Sequence, residues 1–196
     1  MLQFTIIPTD TLPAFIQASS VITAGCQWIE IDPSLIDKME LDKIIKLCQT
    51  NEIILIYNHN DIMLEESRVH GIHLHHGDCS ASELRARLGA HPIIGVDVTD
   101  NCDLTTLKQS DVDYIVIPSY QHPTYIDTIK SLYSRETEVA VEIPIVVQGT
   151  MSPADVADII RAGASGLNID YRSLSEDDFI SSFTEFMNAC SSLHNK

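Results

Sequence analysis

The sequence predicts a single (β/α)8 TIM barrel, and three observations carry that prediction. Eight short apolar runs punctuate the chain, with segments of helical periodicity between them. Strands alternating with helices call for a parallel sheet with right-handed crossovers, and eight such units close into a barrel. The stretch from Ile143 to Asp170 shows one unit whole: an apolar run, a glycine turn at Gly149, a helix start at Ser152-Pro153, and a second strand after Ala162-Gly163-Ala164. The rival architecture, an open doubly wound sheet, asks for a Gly-rich turn after the first strand. Here the first strand runs instead into Ile7-Pro8-Thr9-Asp10. At 196 residues the chain is short for a barrel, so its loops must be tight.

The predicted strands, in order, are Leu2–Ile7, Trp28–Ile31, Ile53–Tyr57, Gly71–Leu74, Ile93–Val96, Tyr114–Ile117, Ile143–Val147 and Gly166–Ile169. Each is a short run bounded by turn residues. Helical faces follow from apolar residues three and four apart. Leu41, Ile44, Ile45 and Cys48 make one; Leu84 and Leu88 mark a second; Ile126, Ile129 and Leu132 mark a third. Val156, Ile159 and Ile160 give the helix after Gly149, and Phe179, Ile180, Phe183 and Phe186 anchor the last. No linker, low-complexity tract or heptad run breaks the pattern, so one domain spanning residues 1–196 is expected. Trp28 is expected in the barrel or helix-layer core.

Hydrophobic content of 44% and charged content of 20% are those of an ordinary globular chain. A net charge of −16 argues against nucleic acid and anionic membranes as partners. It also makes anionic substrates unfavourable unless local cations receive them. Five cysteines without a Cys-x-x-Cys pair imply reduced thiols and a cytoplasmic protein, not a disulfide framework. The N-terminus lacks the basic region and cleavage site of a signal peptide, and no apolar run reaches the length of a membrane span.

The Gly149 turn opens onto a helix N-terminus, where backbone N–H groups and the helix dipole favour an anion. Barrels often hold phosphate there. Gly149, Thr150 and Ser152 are therefore candidate phosphate-binding residues. His59, His73, His75, His76 and Asp78 gather imidazole and carboxylate around two adjacent strand ends, a donor set that suits a transition metal. His73 and His75, two apart, share one strand face. Glu30, Asp32 and Asp97 lie at or beyond strand ends, where paired carboxylates can serve as acid and base. On so acidic a chain, exposure is the expectation for all three. Lys38, Lys43 and Lys46 should line a solvated helix face.

Three segments carry a resemblance to a known family. Ile53-Ile-Leu-Ile-Tyr-Asn58-His59 is similar to an apolar strand ending in Asn-Asp. Gly71-Ile-His-Leu-His-His-Gly-Asp78 is similar to Gly-Val-His-Leu-Gly-Gln-Glu-Asp. Ile143 to Gly166 is similar to Ile-Pro-Val-Val-Ala-Ile-Gly-Gly-Ile-Thr-Pro and the Ala-Gly-Ala-x-Gly after it. On these motifs, and on Ile93-Ile-Gly-Val-Asp97, the chain resembles the thiamine phosphate synthases and their thiazole tautomerase relatives. The resemblance implies coupling of hydroxymethylpyrimidine diphosphate to thiazole phosphate, with Mg²⁺ and a homodimer. It implies that Asp78 and His59 hold the metal, that Asn58 orients the diphosphate, and that Gly149, Thr150 and Ser152 hold the thiazole phosphate. Asp97, which stands where the family has Ser, and Ser119 would also touch substrate. The family's Arg and Lys after the second strand are replaced by Asp32-Pro33-Ser34, and no Lys follows the sixth strand until Lys130. This missing clamp leaves two alternatives open. One is a non-catalytic barrel that binds a phosphorylated ligand. The other is a tautomerase-like proton-transfer enzyme using His122.

Overall fold

A computed structural model describes residues 2–6, 12–58, 69–75, 80–98, 103–118, 125–139, 143–174 and 179–194. Eight parallel strands close into a barrel in sequence order. They are β1 (Leu2–Ile6), β2 (Trp28–Ile31), β3 (Ile54–Tyr57), β4 (Gly71–Leu74), β5 (Ile93–Asp97), β6 (Tyr114–Pro118), β7 (Ile145–Gly149) and β8 (Gly166–Asp170). β8 returns to pair with β1, setting Thr5 beside Asp170, so no strand edge is left open. Among the described residues seven helices surround the barrel: α1 (Ala14–Thr23), α2 (Lys38–Thr50), α3 (Ala81–Leu88), α4 (Leu104–Gln109), α5 (Tyr125–Val139), α6 (Pro153–Arg161) and α7 (Phe179–His194).

Strand period two sorts the residues into two layers. Ile29, Ile31, Leu55, Ile115, Ile117, Val147, Leu167 and Ile169 are fully buried and pack outward on Ile44, Val156, Phe183 and Phe186 of the helices. The alternate residues fill the barrel. Tyr114, Val116 and Val146 form a small apolar cluster there, and Glu30, His73, Gln148 and Asn168 are buried polar residues. Gly95 on β5 makes room for Tyr114, because a Cβ at that position would lie 2.2 Å from the ring Cζ.

Helix starts follow local chemistry. The Asp37 carboxylate accepts from the N–H groups of Met39 and Glu40 to open α2. Ser80 and Glu83 reciprocate as a capping box on α3, and Asp103 accepts from Thr105 and Thr106 to open α4. Each such cap is worth about 1 kcal/mol.

Two features differ from the sequence expectations. β7 begins at Ile145 because Pro144 has no N–H to give the ladder. It then continues through Gln148 and Gly149, as β5 continues through Asp97 and β8 through Asp170. Trp28 is only half-buried at the N-terminal end of β2. It is not among the buried core side chains. Lys38, Lys43 and Lys46 are exposed as expected. Cys26 and Cys48 are buried and Cys190 is half-buried, and burial pushes the Cys48 thiol up to about 12. No described helix is long and apolar enough to cross a membrane.

Candidate functional site

The barrel's upper interior is polar. β1, β2, β4, β7 and β8 each aim one polar side chain inward: Thr5, Glu30, His73, Gln148 and Asn168. The Glu30 carboxylate has no solvent exposure, which corrects the expectation of an exposed acid. A buried carboxylate is tolerated only when donors satisfy it. Glu30 receives Gln148 Nε2 at 2.8 Å and Asn58 Nδ2 at 2.5 Å on Oε1, and Asn168 Nδ2 at 2.8 Å on Oε2. Asn168 Oδ1 in turn accepts from the Thr5 hydroxyl at 2.9 Å.

Two histidines extend this network toward the barrel mouth. His73 is fully buried and lies between two carboxylates. Its Nδ1 stands 3.2 Å from Glu30 Oε2, an ion-pair distance without hydrogen-bond alignment, and its Nε2 bonds Asp97 Oδ1 at 3.0 Å. His75, one strand period further on, bonds Asp97 Oδ2 through Nδ1 at 2.6 Å and Asn58 Oδ1 through Nε2. Asn58, Glu30, His73, Asp97 and His75 thus close a ring. The two imidazoles sit 4.7 Å apart. Burial alone would lower the His73 pKa. The Glu30 charge and the contacts to Asp97 and Glu30 outweigh it, and the ring's pKa is raised to about 10. Burial likewise works against Asp97 ionisation, but hydrogen bonds from His73 and His75 hold its carboxyl down at about 2. Each of these two histidines and Asp97 offers one ligand atom, and the three atoms lie within 4.8 Å of one another.

A pocket of about 360 Å³ opens over the C-terminal ends of β1, β2, β3, β7 and β8. Its floor includes Thr5, Asn58, His75 and Gln148, and its wall includes Asp32, Gly149, Thr150, Asp170 and Arg172. Arg172, in the 3-10 turn after β8, is the cation that sequence reasoning missed. Its Nε donates to both Asp170 oxygens at 3.0 Å, and these bonds raise its pKa. The guanidinium is 61% exposed, so it is held in place yet open to a ligand. The signal in the sequence was its place directly after a strand's C-terminal end, where barrel chemistry is built.

The candidate residues divide clearly. Asn58, Gly149 and Thr150 line the pocket, and Asp97 stands beneath it through His75. Ser152 does not line it: its N–H and hydroxyl both donate to Asp155 Oδ2 at 2.8 Å, which commits them to starting α6. Asp32 lines the pocket while accepting from the N–H and hydroxyl of Ser34. His59, His76, Asp78, Ser119 and His122 lie outside the described residues.

A family model described as thiamine monophosphate synthase matches residues 14–169. The chain belongs to that family. Among similar sequences, a thiamine-phosphate synthase of Bacteroides thetaiotaomicron is 24% identical over 190 residues, 90% of this chain and 91% of the relative. One of Phocaeicola vulgatus is 22% identical over 200 residues, covering 95% of this chain and 96% of the relative. Among solved structures, thiamine phosphate pyrophosphorylase from Pyrococcus furiosus superposes with a TM-score of 0.78 at 15% identity, over 98% of this chain and 96% of that one. A 3-hexulose-6-phosphate synthase from Salmonella typhimurium superposes at 0.71 with 13% identity, over 97% and 98% of the two chains. At such identities the structural likeness shows the barrel fold.

Proposed function

We propose that the protein binds thiazole phosphate in the barrel-mouth pocket and couples it to hydroxymethylpyrimidine diphosphate, in the manner of a thiamine phosphate synthase. The observation that carries this reading is the exposed Arg172 guanidinium in one pocket wall with Gly149 and Thr150. A cation beside a glycine turn at a helix N-terminus is the chemistry a phosphate monoester needs. In the coupling, the thiazole nitrogen bonds to the pyrimidine methylene carbon as the carbon–oxygen bond to diphosphate breaks, and pyrophosphate leaves. Asn58, at the pocket floor, is the candidate to orient the diphosphate. Mg²⁺, when bound, would offset the leaving group's charge, with His59 and Asp78 as its candidate ligands. Two imidazoles and a carboxylate at the pocket floor make a softer donor set than Mg²⁺ prefers. A cytoplasmic homodimer belongs to the same reading, and sedimentation of the purified chain tests the assembly.

A second reading has one observation in its favour. His75 is a partly exposed imidazole, bonded to a carboxylate and lining the pocket. That arrangement suits proton transfer to or from a bound ring, as in a thiazole tautomerase. His122 remains the other candidate for this role.

One assay separates the readings. The protein is incubated with both substrates and Mg²⁺, then Mn²⁺ or Zn²⁺, and thiamine phosphate is measured. Product is expected, and Arg172→Ala should raise KM for thiazole phosphate by roughly 10- to 100-fold, the value of a hydrogen bond to a charged group. Isomerisation of the thiazole tautomer without coupling selects the second reading. Tight thiazole phosphate binding with no turnover of either kind selects a ligand-binding barrel. An absence of both binding and product ends all three.

A further inference from the structure

We propose that His73, His75 and Asp97 form a site for one divalent transition-metal ion of the Zn²⁺ class, at the floor of the pocket and with a coordination position open to it. The ligand atoms already converge: one from each residue, all within 4.8 Å of one another. Bonds of about 2.0–2.1 Å to zinc require only side-chain adjustment from there. Oxygens lie near the far nitrogens, where metal-binding histidines have theirs, hydrogen-bonded for His75 and at ion-pair distance for His73. A ligating imidazole gives its far N–H to a carboxylate or carbonyl, which fixes the tautomer and aims the near nitrogen. His73 has Glu30 Oε2 on its far nitrogen at 3.2 Å, and His75 has Asn58 Oδ1 on its own. The near nitrogens, His73 Nε2 and His75 Nδ1, both face Asp97.

The geometry favours the same conclusion. Both near nitrogens already face Asp97 oxygens, and a divalent ion held between them would lie beside the Glu30 and Asp97 carboxylates, where positive charge is favoured. Two imidazole nitrogens and one carboxylate oxygen suit Zn²⁺, Co²⁺, Ni²⁺ or Fe²⁺ more than Mg²⁺. Three protein ligands leave a fourth position, as in catalytic zinc sites. His75 is 38% exposed and lines the pocket, so that position faces the place where substrate would lie. The site uses neither of the candidate Mg²⁺ ligands, and it does not depend on the thiazole phosphate reading.

The test uses the untagged full chain, stripped with EDTA and titrated with Co²⁺. One equivalent of Co²⁺ per chain should bind and give the visible bands of a four- or five-coordinate ion, and Zn²⁺ should bleach them. His75→Ala, at a partly exposed position, should fold with an unchanged circular dichroism spectrum and lose the bands. Asn58→Ala, which removes the outer contact to His75 together with one donor to Glu30, should weaken binding about 10- to 100-fold. A wild-type protein that gives no bands overturns the proposal. So does a folded His75→Ala that binds Co²⁺ as the wild type does, since the ion would then sit elsewhere. Neither result bears on coupling activity, which is measured separately.

Discussion

Glu30 holds the polar ring together, and its chemistry sets what the ring tolerates. Three amide donors and His73 converge on one carboxylate with no solvent exposure. Replacing it with Ala would strand His73 opposite Asp97 alone and leave Gln148 and Asn168 short of an acceptor. Removing one partner of a buried ion pair costs about 3–5 kcal/mol, so urea titration of Glu30→Ala should show a loss of that order. A loss below about 1 kcal/mol would mean that water replaces the carboxylate freely. The same ring gives a pH dependence. His73 rises from 6.5 to about 10 on folding, so the stability it adds is whole below about pH 6.5 and drains as pH climbs toward 10. Asp97 is held at about 2 against an ordinary 3.8, so its contribution is present above about pH 4 and is lost as pH falls through 2. In EDTA, urea midpoints between pH 6.5 and 9.5 should therefore fall more steeply for wild type than for His73→Gln. Parallel curves would show that His73 is not charged in the folded state.

At the scale of elements, β5 and β6 are fitted to each other through a missing side chain. A Cβ on Gly95 would overlap the Tyr114 ring, with Cζ at 2.2 Å and Cε2 at 2.5 Å. Over-packing of this kind costs about 1–3 kcal/mol. Gly95→Ala should show that cost alone and most of it should vanish in a Tyr114→Leu background, because the clash needs both partners. Strictly additive losses would place the strain elsewhere. The elements also explain what the sequence disclosed. Apolar runs located all eight strands, since the outward face of every strand must be oily to meet a helix. They ended one residue short on β6, at Pro118, and short on β5, β7 and β8, because Asp97, Gln148-Gly149 and Asp170 lie where strands carry the site instead of the core. Glu30 was misplaced for a related reason. In Trp28-Ile29-Glu30-Ile31 the alternation puts Glu30 on the face opposite the isoleucines. In an open half-buried sheet that face is solvent; in a closed barrel it is the lumen. α1 went unmarked because its buried face is made of Ala14, Gln17, Ala18 and Val21, small or polar residues that carry little apolar signal.

Over the whole molecule, charge is the property that packing does not settle. Twenty-eight carboxylates face twelve Lys and Arg residues. Among the described residues, the ion pairs that use those cations join Arg85 with Asp111 and Asp113, Arg161 with Asp158, and Arg172 with Asp170. The exposed Arg161–Asp158 pair contributes at most about 1 kcal/mol, and the part-buried pairs of Arg85 and Arg172 still leave most of the acids unbalanced. Self-repulsion of a net −16 destabilises the compact state, and salt screens it over a Debye length of about 10 Å at 0.1 M. Two effects of salt therefore compete. Screening weakens the few attractive pairs and relieves the many repulsive ones, and the excess of like charges decides the sign. Thermal unfolding followed from 20 to 300 mM NaCl at pH 7.5 should show Tm rising with salt. The on-rate for a phosphorylated ligand should rise as well, because its approach is through a negative field with Arg172 as a local exception. A Tm that falls with salt would mean that the pairs around Arg85 and Arg172 outweigh the net charge.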